Sequence, residues 1–297
     1  MRVFVTGATG FIGSAIVQNL KESGHTVLGL ARNDLAADAL AKAGVEAHRG
    51  ELSDPAGLAT AAGACDGVIH TAFVHDFSQF VANIETDRRA VEAMVAALEG
   101  SGKPMVIASG TLMVSSDRPA TEASRAPDPN GGRAASETRV LEARGVRGSV
   151  VRLPPPVHDH SRAGLLSMMV PAAKEKGVAA YIGDGANLWP SVHRFDAARV
   201  FCLALEKAEP GSALHAVAEE GIPMRDIAQA IGEGLGIPVR SIAIEDAAAY
   251  LGLMGGFFAQ DNLTTSAITR QMLGWQPREI GLLEDLRQGV ATWEPRY

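Results

Sequence analysis

The chain opens on Arg2-Val3-Phe4-Val5-Thr6-Gly7-Ala8-Thr9-Gly10-Phe11-Ile12-Gly13, a short apolar strand that runs into a glycine-spaced turn and then a helix. Gly7, Gly10 and Gly13 stand three apart, where missing side chains let the backbone bend, approach a pyrophosphate and pack the new helix on the strand. The helix N-terminus then faces an anion. A bare tight turn would need the same glycines, so the surroundings decide between them. Ile12, Ile16, Val17 and Leu20 give the following helix one apolar face, and Thr26-Val27-Leu28-Gly29-Leu30 supplies a second strand. That succession favours a phosphate-binding turn, with Thr9, Phe11 and Ile12 beside the glycines.

Strands and helices go on alternating through the first half. A helix from about Asp34 to Ala43 leads to a strand at Val45-Glu46-Ala47-His48, and Ser53-Asp54-Pro55 opens the next helix. Val68-Ile69-His70-Thr71, Met105-Val106-Ile107-Ala108 and Ser149-Val150-Val151-Arg152-Leu153 are further strands. A long helix between the first two of these carries Phe80, Ile84, Val91, Val95 and Leu98 on one face. Repeated strand-helix-strand units require parallel pairing with right-handed crossovers, so the expected fold is α/β, a doubly wound parallel sheet of the Rossmann type. With 297 residues, 46% of them hydrophobic, there is core enough for one large or two modest domains. We place the dinucleotide-binding domain at 1–153 and a smaller substrate-binding lobe at 154–297, after Pro154-Pro155-Pro156 changes the rhythm. The segment 195–217 can return to the sheet, its helix from about Phe195 to Leu205 capped by Asp196.

Charge and cysteine usage narrow the class. A net charge of -7 with no Lys/Arg run argues against nucleic acid and an anionic membrane surface as partners. Cys65 and Cys202 lie in apolar or helical surroundings and read as buried thiols, with no disulfide framework or metal cluster. No apolar run reaches the ~18 residues of a membrane span, and the apolar N-terminus is broken too soon for a signal peptide. The expectation is a soluble cytoplasmic protein, monomer or homodimer, whose partner is a small-molecule substrate.

Thr6 to Gly13, Asp66-Gly67-Val68-Ile69-His70-Thr71-Ala72 and Ile107-Ala108-Ser109-Gly110-Thr111 resemble, in order and spacing, the extended short-chain dehydrogenase/reductases, the NAD-dependent epimerase/dehydratase family. The likeness extends over almost the whole chain, through Arg152-Leu153-Pro154-Pro155-Pro156-Val157 and Val192-His193-Arg194-Phe195-Asp196-Ala197-Ala198. It implies that Glu51 and Leu52 sit beside the adenine, that Thr71, Ala72 and Phe73 pass the phosphates and ribose, and that Pro154 lies at the exit of the sixth strand. Cofactor choice rests on the end of the second strand. An acidic residue there bonds a ribose 2'-hydroxyl and an arginine pairs with a 2'-phosphate. The chain has Arg32, with no carboxylate before Asp34, which favours NADP while leaving NAD open.

The chemistry departs from the family. The resemblance implies a proton-donating tyrosine with a lysine four residues on, yet Tyr181, Tyr250 and Tyr297 are the only tyrosines and no lysine lies between Lys103 and Lys174. In that place stand Arg133 and Glu137. One reading is an oxidoreductase for a carbonyl or alcohol of a small organic molecule. In it Ser109 or Thr111 donates a hydrogen bond, Arg133 stabilises a developing alkoxide, and water or one of His75, His158 and His160 delivers the proton. Another is a non-catalytic redox-sensing regulator, with Arg133 and Glu137 as a simple i,i+4 ion pair. The family also contains epimerases and dehydratases of sugar nucleotides. An enzyme should offer convergent polar groups from the second lobe, and Asn187-Leu188-Trp189-Pro190-Ser191-Val192-His193 supplies several.

Overall fold

A computed structural model describes residues 1–74, 79–115 and 117–293. Five strand-helix repeats and a sixth strand build the first half: β1 (Arg2–Thr6), α1 (Phe11–Glu22), β2 (Thr26–Ala31), α2 (Asp34–Lys42), β3 (Glu46–Arg49), α3 (Pro55–Gly63), β4 (Gly67–His70), α4 (Phe80–Leu98), β5 (Pro104–Gly110), α5 (Ala134–Leu141) and β6 (Arg147–Leu153). Asn33 and Asp54 start α2 and α3 with side-chain caps on Ala36 N and Gly57 N, and Pro55 fills a first-turn position whose N–H would go unused.

The second half adds β7 (Val157–Asp159), β8 (Arg162–Ala163), α6 (Met169–Lys176), β9 (Ala179–Ile182), β10 (Leu188–His193), α7 (Arg194–Lys207), β11 (Ser212–His215), β12 (Glu219–Pro223), α8 (Met224–Leu235), β13 (Val239–Ile242), α9 (Ala247–Leu251), α10 (Ala267–Leu273) and α11 (Leu282–Gly289). The main sheet has seven strands in the order β11-β6-β5-β4-β1-β2-β3, all parallel. It is the doubly wound arrangement expected from the sequence. Parallel strands all end at one edge, so the segments leaving β1, β2, β3, β4, β5 and β6 meet there. Strand β11 joins the sheet next to β6, and α7 packs beside α1. One apolar layer joins Val3, Val5, Ile16 and Leu20 to Val200, Phe201 and Leu205, and the other joins Phe4 and Val68 to Val91, Met94 and Val95.

The remaining strands form a four-stranded sheet, β12-β10-β7-β8, and a β13-β9 pair. Leu166, Met169, Trp189, Ile227, Ile231, Leu282 and Leu286 fill a third core there. Met169 and Phe258 belong to this core too. Helix α7 differs from expectation at its start. His193 caps it, accepting from Phe195 N, while the Asp196 carboxylate takes the backbone N–H groups of Arg278 at 2.9 Å and Glu279 at 3.1 Å and pairs with Arg199. Asp196 therefore fastens the C-terminal segment to α7 and caps nothing. Among the described residues no helix is long and apolar enough to cross a membrane, and no cluster of His, Cys, Asp or Glu could hold a metal. Cys65 and Cys202 are buried free thiols.

Candidate active site

The glycine turn is built to admit a phosphate. Gly7 has φ +70°, and a Cβ on it would meet Ala72 N at 2.8 Å. On Gly13 the added atom would stand 1.9 Å from the Gly7 carbonyl oxygen, so α1 can lie this close to the turn only without a side chain there. Gly10 N donates to Gly7 O at 2.8 Å, and Gly10 itself precedes α1 with no side-chain cap. The first-turn N–H groups of Phe11 and its neighbours are thus left for an outside acceptor. Thr71 closes the cradle, donating through Oγ1 to Thr6 O at 2.9 Å. Together these features fit the diphosphate of a dinucleotide.

The other residues expected around the cofactor lie along the same sheet edge. Thr9 and Arg32 are exposed, and Phe11, Ile12, Leu52, Thr71, Ala72 and Phe73 are half-buried. Among the described residues Arg32 makes no ion pair; Arg49, the cross-strand partner of the preceding Ala31, pairs with Asp34 at 2.6 Å. Glu51 is exposed and accepts from Ser53 Oγ, whereas Leu52 packs against the core below β2. Pro154 is buried at the exit of β6.

Arg133 immediately precedes α5 and reaches the carboxyl end of β5. Its Nη2 donates to the Ala108 carbonyl at 3.2 Å, and its Cζ lies 4.1 Å from the centroid of the Phe73 ring. Burial lowers its pKa from the usual arginine value, and the charge of Asp87 opposes that fall. Asp87 is 2% exposed. Burial works to raise its pKa, but bonds from His70 and Ser136 and the charges of His70 and Arg133 hold it below the ordinary carboxylate value. Ser136 Oγ donates to Asp87 Oδ2 at 2.8 Å, and His70 Nε2 lies 3.2 Å from Oδ1. Since a carboxylate only accepts, a proton of His70 stands on Nε2, and Nδ1 lies 2.7 Å from Thr6 Oγ1. A buried line of polar groups therefore runs from the phosphate turn to the neighbourhood of Arg133.

Glu137 does not pair with Arg133, contrary to the i,i+4 expectation. It accepts from Arg152, through Nη2 and through Nε at 3.0 Å, and from Ser109 Oγ at 2.9 Å. Arg152 is 0% exposed. Its Nη1 donates to Ser124 O at 3.0 Å and to His215 Nε2 at 3.3 Å, while His215 Nδ1 faces the Thr265 carbonyl at 2.8 Å and so holds that ring's proton. Ser109 thus spends its hydroxyl proton on Glu137. Thr111 is fully buried, its Oγ1 accepting from Asn262 Nδ2 at 2.8 Å, which turns it toward the second lobe. Of the three candidate catalytic residues Arg133 alone keeps uncommitted donors among the described residues: a guanidinium has five N–H groups, and one of them donates to a described partner.

His75 lies outside the described residues. His158 is buried, with Nδ1 2.5 Å from Asp285 Oδ2, and His160 is exposed on the turn after it. The sequence did not single out His193 as a titrating group. Burial and the neighbouring His158, whose ring centroid is 5.4 Å away, depress its pKa below the ordinary histidine value.

The model of the NAD dependent epimerase/dehydratase family matches residues 3–217. An uncharacterized protein of Schizosaccharomyces pombe is 47% identical over 289 residues, which cover 96% of this chain and 98% of that one. The 2-alkyl-3-oxoalkanoate reductase of Stenotrophomonas maltophilia is 27% identical over 84% of this chain and 80% of its own. A solved UDP-glucose 4-epimerase of Thermotoga maritima, with UDP-glucose, superposes with a TM-score of 0.75 at 18% identity, covering 98% of this chain and 97% of that one, a likeness of fold alone. The cofactor class that goes with this match is a nicotinamide dinucleotide. The chain belongs to the NAD-dependent epimerase/dehydratase family.

Proposed function

We propose that the protein is an NADP-dependent oxidoreductase acting on a carbonyl or alcohol of a small organic molecule, with Arg133 in place of the family's proton-donating tyrosine. The observation that carries this reading is the Arg133 guanidinium, braced by the Ala108 carbonyl at 3.2 Å and the Phe73 ring at 4.1 Å beside the sheet's carboxyl edge. A bound dinucleotide supplies hydride chemistry at that edge. The protein's share is positioning. The glycine turn holds the diphosphate, Arg32 pairs with the 2'-phosphate, and Arg133 donates hydrogen bonds to the substrate oxygen as negative charge grows on it. Arginine does not give up a proton at neutral pH, so the product oxygen takes its proton from water. The charge of Asp87 offsets part of that of Arg133 and helps keep the buried guanidinium protonated.

The test is turnover of NADPH against a panel of aldehydes and ketones, followed by the decay of reduced-nicotinamide absorbance. Arg133→Ala should lower kcat by about 10²–10³, the loss typical of one oxyanion donor, while the dissociation constant for NADPH stays within twofold. Full turnover in that variant removes Arg133 from the mechanism.

A further inference from the structure

Helix α4 leaves bulky apolar side chains in water only at its start. It begins Phe80-Val81-Ala82, and all three are exposed, Phe80 by 42% and Val81 by 81%. Val74, next to Phe73 after β4, is 38% exposed. Farther along α4 the apolar face turns inward, with Val91, Met94, Val95 and Leu98 buried. The opposite face becomes charged there, Glu85 pairing with Arg88 and Arg89 at 2.8 Å each. Exposed apolar surface is therefore gathered in the first turn of the helix and beside Phe73.

That turn adjoins Arg133 through a single ring. Phe73 has the Arg133 guanidinium 4.1 Å from its centroid, and the Phe80 ring meets Phe73 at 6.3 Å with 68° between their planes. A molecule whose oxygen takes a hydrogen bond from Arg133 thus has an apolar surface one ring away. Chemistry decides what can lie on it. A hydrocarbon group gains by leaving water, up to about fourfold in affinity for each methylene covered. Hydroxyl groups lose there, because the side chains of Phe73, Val74, Phe80 and Val81 hold no donor or acceptor, and a hydroxyl stripped of water without a partner is costly. The amides of Gln79 and Asn83 flank the turn, and each already makes an interaction.

We propose that the patch formed by Phe73, Val74, Phe80 and Val81 seats a hydrocarbon group of the substrate, which makes the substrate a carbonyl compound carrying an alkyl chain, not a sugar nucleotide. The proposal rests on the oxidoreductase reading above, in which the carbonyl oxygen meets Arg133. The chain on the patch takes no part in the chemistry and sets which carbonyl compounds are held long enough to react.

The experiment measures kcat/KM with NADPH for the methyl ketones from butanone to decan-2-one, on wild type and Phe80→Ala, with thermal melts to confirm folding. In wild type kcat/KM should rise by about two- to fourfold per added methylene over the first additions. Phe80→Ala should flatten that rise, its loss on decan-2-one exceeding its loss on butanone by about tenfold. Val81→Asp, at the more exposed position, serves if the alanine variant does not fold, since a carboxylate on the patch should flatten the same series. A flat series in wild type, or equal losses on short and long ketones, overturns the proposal, and so does tighter calorimetric binding of UDP-glucose than of decan-2-one. Sedimentation showing a dimer that Val81→Asp dissociates, together with a flat series, gives the patch to a second copy of the chain and also overturns it. A wild-type protein that turns over none of the ketones overturns the oxidoreductase reading, and calorimetric binding of the same ketones then judges the patch alone. Affinity that rises with chain length in wild type and not in Phe80→Ala upholds it; affinity independent of length in both overturns it.

Discussion

Placing tyrosine at position 133 and lysine at position 137, where the proposed reading locates the family's catalytic pair, should unfold the protein, because position 137 faces Arg152. Glu137 is 5% exposed and Arg152 0%, and they are joined through both Nε and Nη2. Removing one partner of a buried pair costs about 3–5 kcal/mol, since the other charge is left without an answer in a medium that solvates it poorly. Glu137→Gln should reach that range. Glu137→Lys adds repulsion between two cations at contact, and with total stability of about 5–15 kcal/mol it should leave little folded protein. At about 2–4 °C per kcal/mol, the glutamine variant melts roughly 10 °C below wild type. The assay is thermal unfolding followed by the fluorescence of the buried Trp189 and Trp275. A charge swap, Glu137→Lys with Arg152→Glu, should recover part of the loss. It cannot recover all, because Ser124 O and His215 Nε2 then lose the donor that Arg152 provides. A Glu137→Lys protein as stable as wild type, or a swap no better than the single variants, refutes the reasoning.

Two other perturbations are informative. Arg32→Asp should weaken NADPH by at least tenfold, the loss of one charge-assisted phosphate contact, while leaving NADH little changed or tighter; equal losses on both ligands refute the 2'-phosphate assignment. Stability should fall with acid because burial depresses His193 and His215 in the folded state. For a base with a lowered folded pKa, the contribution is fully present above the unfolded value of about 6.5 and is lost as pH falls through the folded one. His193→Asn retains a side chain able to cap α7, so its melting temperature should decline less steeply than wild type below about pH 6.5, and an unchanged slope assigns the acid sensitivity elsewhere.

Much of this was legible from the chain alone, for a physical reason. Gly7, Gly10 and Gly13 answer to distances within one turn, such as the 1.9 Å between a Gly13 Cβ and Gly7 O, so their spacing carries the geometry with it. Once strands and helices alternate, parallel pairing gathers the strand exits at one edge, and Arg32 and Thr71, which directly follow β2 and β4, need no further information to be placed there, whereas Arg133, far along the loop after β5, was placed by the family resemblance. The partners of buried charges follow a different rule. Glu137 stands four residues from Arg133, and local spacing suggests that they pair. Instead the register of β5 on β6 sets Ser109 beside Arg152, and one carboxylate bridges both. Asp196 has the look of a helix cap and is taken by backbone N–H groups some eighty residues later.

If Arg133 and Glu137 stand where the family carries its tyrosine and lysine, as proposed, the same contrast bears on the replacement. A lysine at 137 is tolerable only where a dipole, a ligand or water answers its charge, and an inward-facing arginine on β6 removes that tolerance. With Arg152 in the core, an acidic residue becomes the best occupant of 137, because it satisfies both the guanidinium and Ser109. Position 133 then has no lysine to lower the pKa of a tyrosine phenol, and a phenol of ordinary pKa near 10 gives up its proton poorly at neutral pH. In the proposed mechanism arginine, held against Phe73 and offset by Asp87, would supply charge without needing a tuned pKa. On this reasoning Arg152→Met is the permissive change: in that background Glu137→Lys should be better tolerated than in wild type, and Arg133→Tyr with Glu137→Lys should yield folded protein. A triple variant that melts no higher than Glu137→Lys alone would separate the catalytic replacement from the core arginine.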